Sequence, residues 1–292
     1  MARSIGVLAT RYIWAGVVED ATLGTVLMYP EPGGEQLDLK SLPSEEIIAR
    51  ICRHIEVLRR EGPIDSVGAG VPGIIRRGLI EESPNLGQLK GLDMVNRLRA
   101  ALRAMGLDVP VIVMNDADAL AAGLALRYGA LDRIIRVWYL GDGVGFGRYP
   151  HGEGVWEAGH SVVTLDPKER FCGCGGAGHL EGIVGSRAMR LRFLDMEPDE
   201  VFAAARTGDR RAAAFVSLWH RAIAAATATS VHIDGPGRFY LAGPNADFVD
   251  VNTLSMFLQD MVKMSPLQGT FFEVVPTSQD LALIGAAMTS RK

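Results

Sequence analysis

The segment that decides the fold is residues 157–186, which read EAGHSVVTLDPKERFCGCGGAGHLEGIVGS. It holds four side chains of the kinds that bind zinc within a span of twenty residues: His160, Cys172, Cys174 and His179. Glycines around the cysteines let the backbone turn tightly enough for two thiolates to point at one centre. Four protein ligands fill a tetrahedral zinc site, so the predicted metal is structural. The alternative is a turn with two buried thiols and two surface histidines, but the added histidine pair favours zinc.

The residues around this cluster resemble a known signature. The pattern Glu-x-Gly-His at residues 157–160, followed by Cys-x-Cys-Gly-x-x-Gly-x-x-Glu at residues 172–181, resembles that of the ROK family of repressors, open reading frames and sugar kinases. That signature usually has cysteine where this chain has His179. Histidine is an equally competent zinc ligand, so the departure changes the donor set rather than the site. The resemblance implies an α/β fold of the actin-like (ribonuclease H-like) kind, with two lobes that close on a cleft.

The order of apolar and helical segments agrees with a mixed α/β chain. Short β-branched runs over residues 4–29 predict an antiparallel meander, and a helix over 44–60 then leads to a strand over 64–71. Alternation of strand and helix in this rhythm predicts mixed α/β layers. We therefore expect a first lobe over residues 1–115, completed by a closing helix over 279–292, and a second lobe over 116–278 that contains the zinc-binding segment 157–186.

Asn115 and Asp116 follow a buried apolar strand and open a predicted helix. A carboxylate at the carboxyl end of a strand lies where α/β sheets bind ligands, although either residue could instead cap the helix. The flanking segments Gly-Val-Pro-Gly (70–73) and Ser-Pro-Asn-Leu (83–86) come in the order and spacing of ROK sugar kinases. The resemblance implies that Asp116 is the general base and that the asparagines bind sugar hydroxyls.

The resemblance implies a pyranose-type sugar as the ligand. Its hydrogen-bond partners would be Asn85, Asn115, Asp116, Glu157, His160 and Glu181. Carboxylates and amides suit this task because each can accept from, or donate to, paired hydroxyls. His160 would serve twice, with one ring nitrogen on zinc and the other on the sugar. Taken singly, Asn115 could be a helix cap and Glu181 a member of a surface salt bridge.

A glycine-rich segment, Gly-Asp-Gly-Val-Gly-Phe-Gly, occupies residues 141–147. Alternating glycines let backbone N–H groups approach phosphate closely, although a plain β-hairpin also fits this pattern. By resemblance, Gly141, Gly143 and Gly145 form the second phosphate loop, and Gly243 belongs to the turn that meets adenosine. The family normally has threonine where this chain has Asp142, whose carboxylate would repel phosphate.

The amino terminus departs from the family pattern. ROK kinases have Asp-x-Gly-Gly-Thr after the first strand, which turns around the phosphates and orients Mg²⁺ through the aspartate. Here Leu8 stands in place of that aspartate, Thr10 and Arg11 replace the glycines, and Tyr12 replaces the threonine. Phosphoryl transfer depends on positioning and on neutralising the phosphate charge, so the departure affects the chemistry directly. Arg11 could supply part of the missing positive charge.

Two functions follow from this comparison. The first is a kinase that uses ATP and Mg²⁺ to phosphorylate a hexose or N-acetylhexosamine. The second is a sugar-binding relative without phosphoryl transfer, which acts as a sensor or an assembly subunit. A DNA-binding repressor is not expected, since the first strand begins near Ser4 and leaves no room for a helix-turn-helix ahead of it.

Bulk composition sets the remaining expectations. A length of 292 residues predicts one large or two medium domains, and a formal charge of −4 gives no reason to expect nucleic-acid binding. No apolar run reaches the length of a membrane span, and no signal peptide is recognised. Three cysteines, with only Cys52 outside the predicted zinc site, indicate a reducing cytoplasm. A homodimer or homotetramer is expected.

Overall fold

The computed structural model describes residues 2–31, 33, 37–152, 157–276 and 279–291. The chain folds into two compact units. Unit 1 consists of Met1–Ile135, Gly147–Val155 and Ser278–Lys292, and unit 2 consists of Arg136–Phe146 and Trp156–Thr277.

The described strands and helices follow one another closely along the chain. The strands are β1 (Arg3–Ala9), β2 (Ile13–Glu19), β3 (Thr22–Tyr29), β4 (Ser66–Val71), β5 (Ile74–Arg76), β6 (Leu79–Glu82), β7 (Val111–Asn115), β8 (Ile135–Leu140), β9 (Val144–Tyr149), β10 (Arg238–Ala242) and β11 (Phe271–Val274). The α-helices are α1 (Ser44–Leu58), α2 (Met94–Ala104), α3 (Asp116–Arg127), α4 (Glu181–Val184), α5 (Ser186–Arg192), α6 (Pro198–Arg206), α7 (Arg210–Asp234), α8 (Val251–Met261) and α9 (Gln279–Thr289).

Unit 1 is built on a five-stranded sheet with the order β3-β2-β1-β4-β7. The first three strands form the predicted antiparallel meander, whereas β4 pairs in parallel with both β1 and β7. Every residue of β1 and of β4 is buried, which explains why, apart from Arg3, their sequences are apolar or small rather than alternating. Helix α1 carries Glu45 and Glu46 in its first turn, where carboxylates favour the helix dipole, and it buries an isoleucine-rich face against this core.

The closing helix α9 packs on β1, β4 and α3 at unusually short range. Glycine makes this approach possible, because a Cβ on Gly68 would lie 1.9 Å from the carbonyl oxygen of Ala286. A Cβ on Gly123 of α3 would likewise lie 1.8 Å from the carbonyl oxygen of Leu281. Residues 116–127, expected in the second lobe, instead form α3 of unit 1, where their small side chains are buried beside α9.

Unit 2 contains a four-stranded sheet with the order β11-β10-β8-β9, in which β10 and β11 are parallel. Its core combines aliphatic side chains with a group of aromatic ones: Trp138 and Trp219 are fully buried, and Phe202 stacks on Phe248 at a centroid distance of 4.4 Å. Each buried indole N–H has an acceptor, Thr227 Oγ1 for Trp138 and the Val184 carbonyl for Trp219. Such pairing removes the cost of burying a polar N–H group.

Unit 1 also contains a two-stranded sheet, the β5–β6 hairpin. This hairpin was not predicted because both of its strands are short.

Among the described residues, none of the helices combines the length and the apolar character that crossing a bilayer requires.

Candidate functional site

Three of the predicted motifs meet at the carboxyl ends of β4 and β7. These parallel strands pair side by side, with Val71 opposite Asn115. The Asn115 side-chain amide donates to the Gly73 carbonyl at 2.9 Å, and the Ser83 hydroxyl donates to the Pro72 carbonyl at 2.7 Å. We call residues 70–73, 83–86 and 115–116 the strand-end junction.

Asp116 is the first residue of α3 and lies half-buried within the strand-end junction. The Asn115 side-chain oxygen accepts from the Ala117 N–H at 2.8 Å, so Asn115 is the N-cap of this helix. Asp116 Oδ1 also accepts from the Ala117 N–H, at 3.1 Å. The capping alternative is therefore observed for Asn115. Asn85 is exposed, two positions after Ser83.

A second carboxylate of α3, on Asp118, was not singled out from the sequence. It is 7% exposed and accepts from the Arg148 N–H at 2.8 Å, while its other oxygen lies 3.2 Å from His151 Nδ1. The hydrogen bond to Asp118 raises the pKa of His151 above its usual value. Gly147 fits against the helix start because any Cβ there would lie 2.0 Å from the Ala117 carbonyl oxygen. These contacts fix residues 147–151 on the first turn of α3.

The turn between β1 and β2 is short and compact. Thr10 donates its N–H to the Tyr12 carbonyl at 3.1 Å, so Thr10–Tyr12 closes directly into the antiparallel pair. Leu8, in place of the family's aspartate, is 5% exposed and packs against Gly70, where a Cβ would lie 2.8 Å from its Cδ2. Arg11 extends its guanidinium to Asp38, with 3.4 Å between Nε and Oδ2. We call Thr10–Tyr12 the β1–β2 turn.

In unit 2, the four predicted zinc ligands come together. Their ligand atoms all lie within 4.8 Å of one another, and we call them the Cys/His cluster: His160, Cys172, Cys174 and His179. The two sulfurs are 3.4 Å apart, Cys172 Sγ is 3.4 Å from His160 Nδ1, and Cys174 Sγ is 3.2 Å from His179 Nδ1. Without a metal, burial raises the pKa of the Cys172 thiol to about 12.

The carboxylates predicted to bind sugar lie next to this cluster. Glu157 Oε2 is 3.8 Å from His160 Nε2, so the two ring nitrogens of His160 face Glu157 and the Cys/His cluster, respectively. Glu181 opens α4, and its Oε1 accepts from the Cys172 thiol at 3.4 Å. Its Oε2 accepts from the Val144 N–H at 3.2 Å. Glu181 therefore links the Cys/His cluster to the glycine-rich segment.

The glycine-rich segment forms a hairpin between β8 and β9. Its turn closes through a hydrogen bond from the Gly141 N–H to the Gly143 carbonyl at 3.0 Å, and Gly145 lies within β9. We call residues 141–145 the glycine hairpin. Asp142 is exposed at its tip and forms an ion pair with Arg190, with 3.3 Å between Oδ1 and Nη1. The side chain predicted to repel phosphate thus has a positive partner.

Gly243 lies beside the glycine hairpin. It has φ of +96°, a conformation that suits glycine, and a Cβ there would lie 2.4 Å from the Leu140 carbonyl oxygen. Two buried residues that were not predicted join these turns. The Asn245 amide donates to the Gly141 carbonyl at 3.0 Å, and the Ser186 hydroxyl donates to Asn245 Oδ1 at 2.9 Å. The position of Asn245 directly after the Gly-Pro pair was the sequence signal for it.

The family model and the related sequences indicate the same protein family. Residues 16–292 match the ROK family. The glucokinase of Thermotoga maritima is 30% identical over 279 residues, which cover 83% of this chain and 84% of that protein. An N-acetylmannosamine kinase of Haemophilus influenzae is 28% identical over 242 residues, which cover 78% of this chain and 77% of that protein.

Solved structures show the same fold. The ROK hexokinase of Thermus thermophilus superposes with a TM-score of 0.78 at 22% identity, over 98% of this chain and 97% of that one. A ROK family glucokinase of Streptomyces griseus, in complex with glucose and AMPPNP, gives 0.71 at 22% identity, over 99% of each chain. These neighbours and the mixed α/β sheets of both units fit the predicted actin-like fold.

Proposed function

The chain belongs to the ROK family, and we propose that it is a sugar kinase that transfers the γ-phosphoryl group of ATP to a hydroxyl of a hexose or N-acetylhexosamine. The observation that carries this proposal is the strand-end junction, which presents Asp116 at the carboxyl end of β7 beside the Gly-Val-Pro-Gly and Ser-Pro-Asn-Leu segments. Relatives named glucokinase and N-acetylmannosamine kinase support both sugar classes.

In this reaction Asp116 is the general base. Its carboxylate accepts the proton of the attacking sugar hydroxyl as the new oxygen–phosphorus bond forms and ADP departs. A helix start is a suitable place for such a group, because the capping of α3 by Asn115 fixes the backbone that carries Asp116. The proposed sugar-binding residues are Asn85, Asn115, Asp116, Glu157, His160 and Glu181.

We propose that the Cys/His cluster binds one structural zinc ion. Tetrahedral zinc with ordinary Zn–S and Zn–N bond lengths separates its sulfur and nitrogen ligands by about 3.5–3.8 Å. The corresponding distances here, between 3.2 and 3.4 Å, fit that arrangement after a small outward shift. Zinc when bound would order the segment that carries Glu157 and Glu181, with no part in the chemical step.

The residues proposed to bind the phosphates of the nucleotide match the family pattern less well than the proposed sugar-binding residues do. The residues proposed to face the nucleotide are Thr10, Arg11, Gly141, Gly143, Gly145 and Gly243. Leu8, which lies in β1 just before the β1–β2 turn, offers no oxygen ligand and is buried, so this part of the chain does not fit the Mg²⁺-orienting role that the resemblance implies. Our proposal therefore assigns no step to a metal ion at this turn.

These departures favour a second candidate function, a sugar-binding protein without phosphoryl transfer. Its specific support is that Leu8 is part of the core and that Arg11 is already paired with Asp38. A sugar side that matches the family pattern, together with a phosphate side that departs from it, would suit a sensor or an assembly subunit.

A single experiment separates the two functions. Calorimetry with glucose and N-acetylmannosamine would be combined with a coupled phosphorylation assay supplied with ATP–Mg²⁺ or with polyphosphate. The kinase proposal expects sugar binding and sugar-dependent turnover with at least one donor. Sugar binding by zinc-loaded, folded protein without turnover from either donor would establish the second function instead, and a lack of sugar binding would contradict both.

A further inference from the structure

Helix α5 places two arginines beside the glycine hairpin. Arg187 and Arg190 are three positions apart and therefore lie on one face of this helix. The Arg187 N–H donates to the Asp142 carbonyl at 3.2 Å, and the Arg190 guanidinium pairs with the Asp142 carboxylate. Both side chains thus start from positions next to the tip of the hairpin.

The two arginines differ in how their charge is used. Arg190 is held between two acids, with its Nε 2.7 Å from Glu197 and its Nη1 3.3 Å from Asp142. Arg187 is exposed, and within the described part of the chain no acidic side chain forms an ion pair with it. Its guanidinium lies over Gly173, where a Cβ would come within 2.6 Å of Nη1. Glu181 Oε1 would lie 3.6 Å from the same Cβ, so the Arg187 guanidinium has a carboxylate nearby but forms no ion pair with it. An exposed cation therefore lies between the glycine hairpin and the cysteines of the Cys/His cluster.

Two backbone donors of the glycine hairpin are already used. The Gly141 N–H is used within the turn, and the Val144 N–H is used by Glu181. In the other predicted phosphate-binding element, the charge of Arg11 is partly neutralised by Asp38. A phosphate group near the hairpin needs positive charge that these elements do not supply, and a guanidinium provides it with two donors matched to phosphate oxygens.

We propose that Arg187 is a phosphate-binding residue of this protein. Its ligand is a phosphate group held near the glycine hairpin, contributed either by the donor or by the phosphorylated sugar. Arg190 supports it by offsetting part of the charge of Asp142, which would otherwise repel the same group more strongly. The assignment of the donor rests on the proposed kinase function, whereas binding of phosphate by Arg187 does not depend on turnover.

The test compares full-length, zinc-loaded wild type with Arg187→Ala, Arg187→Lys and the control Arg206→Ala. Arg206 is an exposed arginine at the end of α6, so its removal subtracts the same charge from unit 2 at another place. Calorimetry would use AMPPNP with Mg²⁺, tripolyphosphate and glucose 6-phosphate, with unphosphorylated glucose as the reference. Loss of a charge-assisted bidentate contact should weaken binding of at least one phosphate compound by about ten- to a hundredfold.

The expected pattern is specific. Arg187→Ala weakens binding of the phosphate compounds, Arg187→Lys recovers part of it, and glucose affinity stays within about twofold in all variants. Arg206→Ala behaves like wild type. Loss confined to AMPPNP and tripolyphosphate identifies the donor as the ligand, and loss confined to glucose 6-phosphate identifies the product.

Results that contradict the role of Arg187 can be distinguished from results that contradict the kinase function. Phosphorylation by the wild type with unchanged phosphate binding in Arg187→Ala overturns the role of Arg187 and leaves the kinase proposal in place. A wild type without turnover that binds a phosphate compound through Arg187 supports this inference while contradicting the kinase. A wild type that binds none of the three phosphate compounds overturns both.

Discussion

The strand-end junction and the β1–β2 turn lie in the same unit but have diverged to different degrees. The junction keeps the family's motifs and joins them by hydrogen bonds through Gly73, Ser83 and Asn115. The β1–β2 turn has lost the family's glycines and its aspartate, and Leu8 fills the core instead. Under the proposed assignment of these regions, sugar recognition and phosphate recognition are separable in this fold, since the residues of one depart from the family pattern while those of the other match it.

The largest expected effect comes from the strand-end junction. Asp116→Asn should lower turnover by about 10²–10⁴, the usual contribution of a positioned general base, while sugar affinity changes by no more than a few fold. A coupled assay and calorimetry measure the two quantities. Asp132→Asn, at an exposed site, is the control and should be active. Equal turnover in Asp116→Asn and wild type would show that Asp116 is not the general base. The strand-end junction would then differ from the β1–β2 turn in sequence only, with no demonstrated difference in function.

The second prediction extends the comparison to unit 2. Replacing both Cys172 and Cys174 by serine should abolish zinc binding and destabilise the segment that carries Glu157 and Glu181. A loss of about 3 kcal/mol in the free energy of unfolding would lower the melting temperature by about 6–12 °C. Metal analysis and thermal denaturation test this, with Cys52→Ala as the variant that should keep its zinc. An unchanged metal content in the double variant would refute the proposed ligands.

A smaller effect is expected at the β1–β2 turn. Arg11→Ala should raise the KM for ATP by about two- to fivefold, because an exposed cation contributes only modestly to phosphate binding. Asp38→Asn should have the opposite effect or none, since it releases Arg11 from its ion pair. If Arg11→Ala leaves the KM for ATP unchanged in an active enzyme, Arg11 serves only to hold Asp38.

The smallest expected effect is on stability and comes from the contact between Asp118 of α3 and His151, beside the strand-end junction. The pKa of His151 is raised by Asp118, so this pair stabilises the folded state fully below the unfolded pKa of His151, and that contribution is lost as pH rises through the folded pKa. His151→Gln should therefore lower the melting temperature more at pH 5.5 than at pH 8.5. The difference should correspond to less than about 1 kcal/mol, because the ring is partly exposed. A difference that is the same at both pH values would contradict this.

Local sequence patterns predicted most of the secondary structure and the position of Asp116 after β7. They succeed because a buried parallel strand is recognisable from its apolar run, and a helix start from its capping residues. Asp118 and His151 were missed because their contact joins residues thirty-three positions apart, and no short pattern specifies it. The ion pair between Asp142 and Arg190 was missed for the same reason, because it joins residues forty-eight positions apart.

The Cys/His cluster shows which contacts of the candidate site could be predicted from the sequence and which could not. Ligand type and spacing predicted that four side chains would meet, and the structure brings their ligand atoms together. Spacing alone could not reveal that Glu181 would also contact both Cys172 and the glycine hairpin. That link depends on how α4 packs against β9, which is a property of the tertiary structure.

The position of the closing helix α9 at the end of unit 1 determines which unit can first fold completely during translation. Unit 1 begins first, but the helix that covers Gly6 and Gly68 emerges from the ribosome only after all of unit 2, whose two parts end at Phe146 and Thr277. At about 5–20 residues per second, the roughly 140 intervening residues take about 7–30 s to translate. Over that interval the backbone surface of β1 and β4 that receives α9 is uncovered. The unit that starts second is therefore the first whose residues are all available to fold.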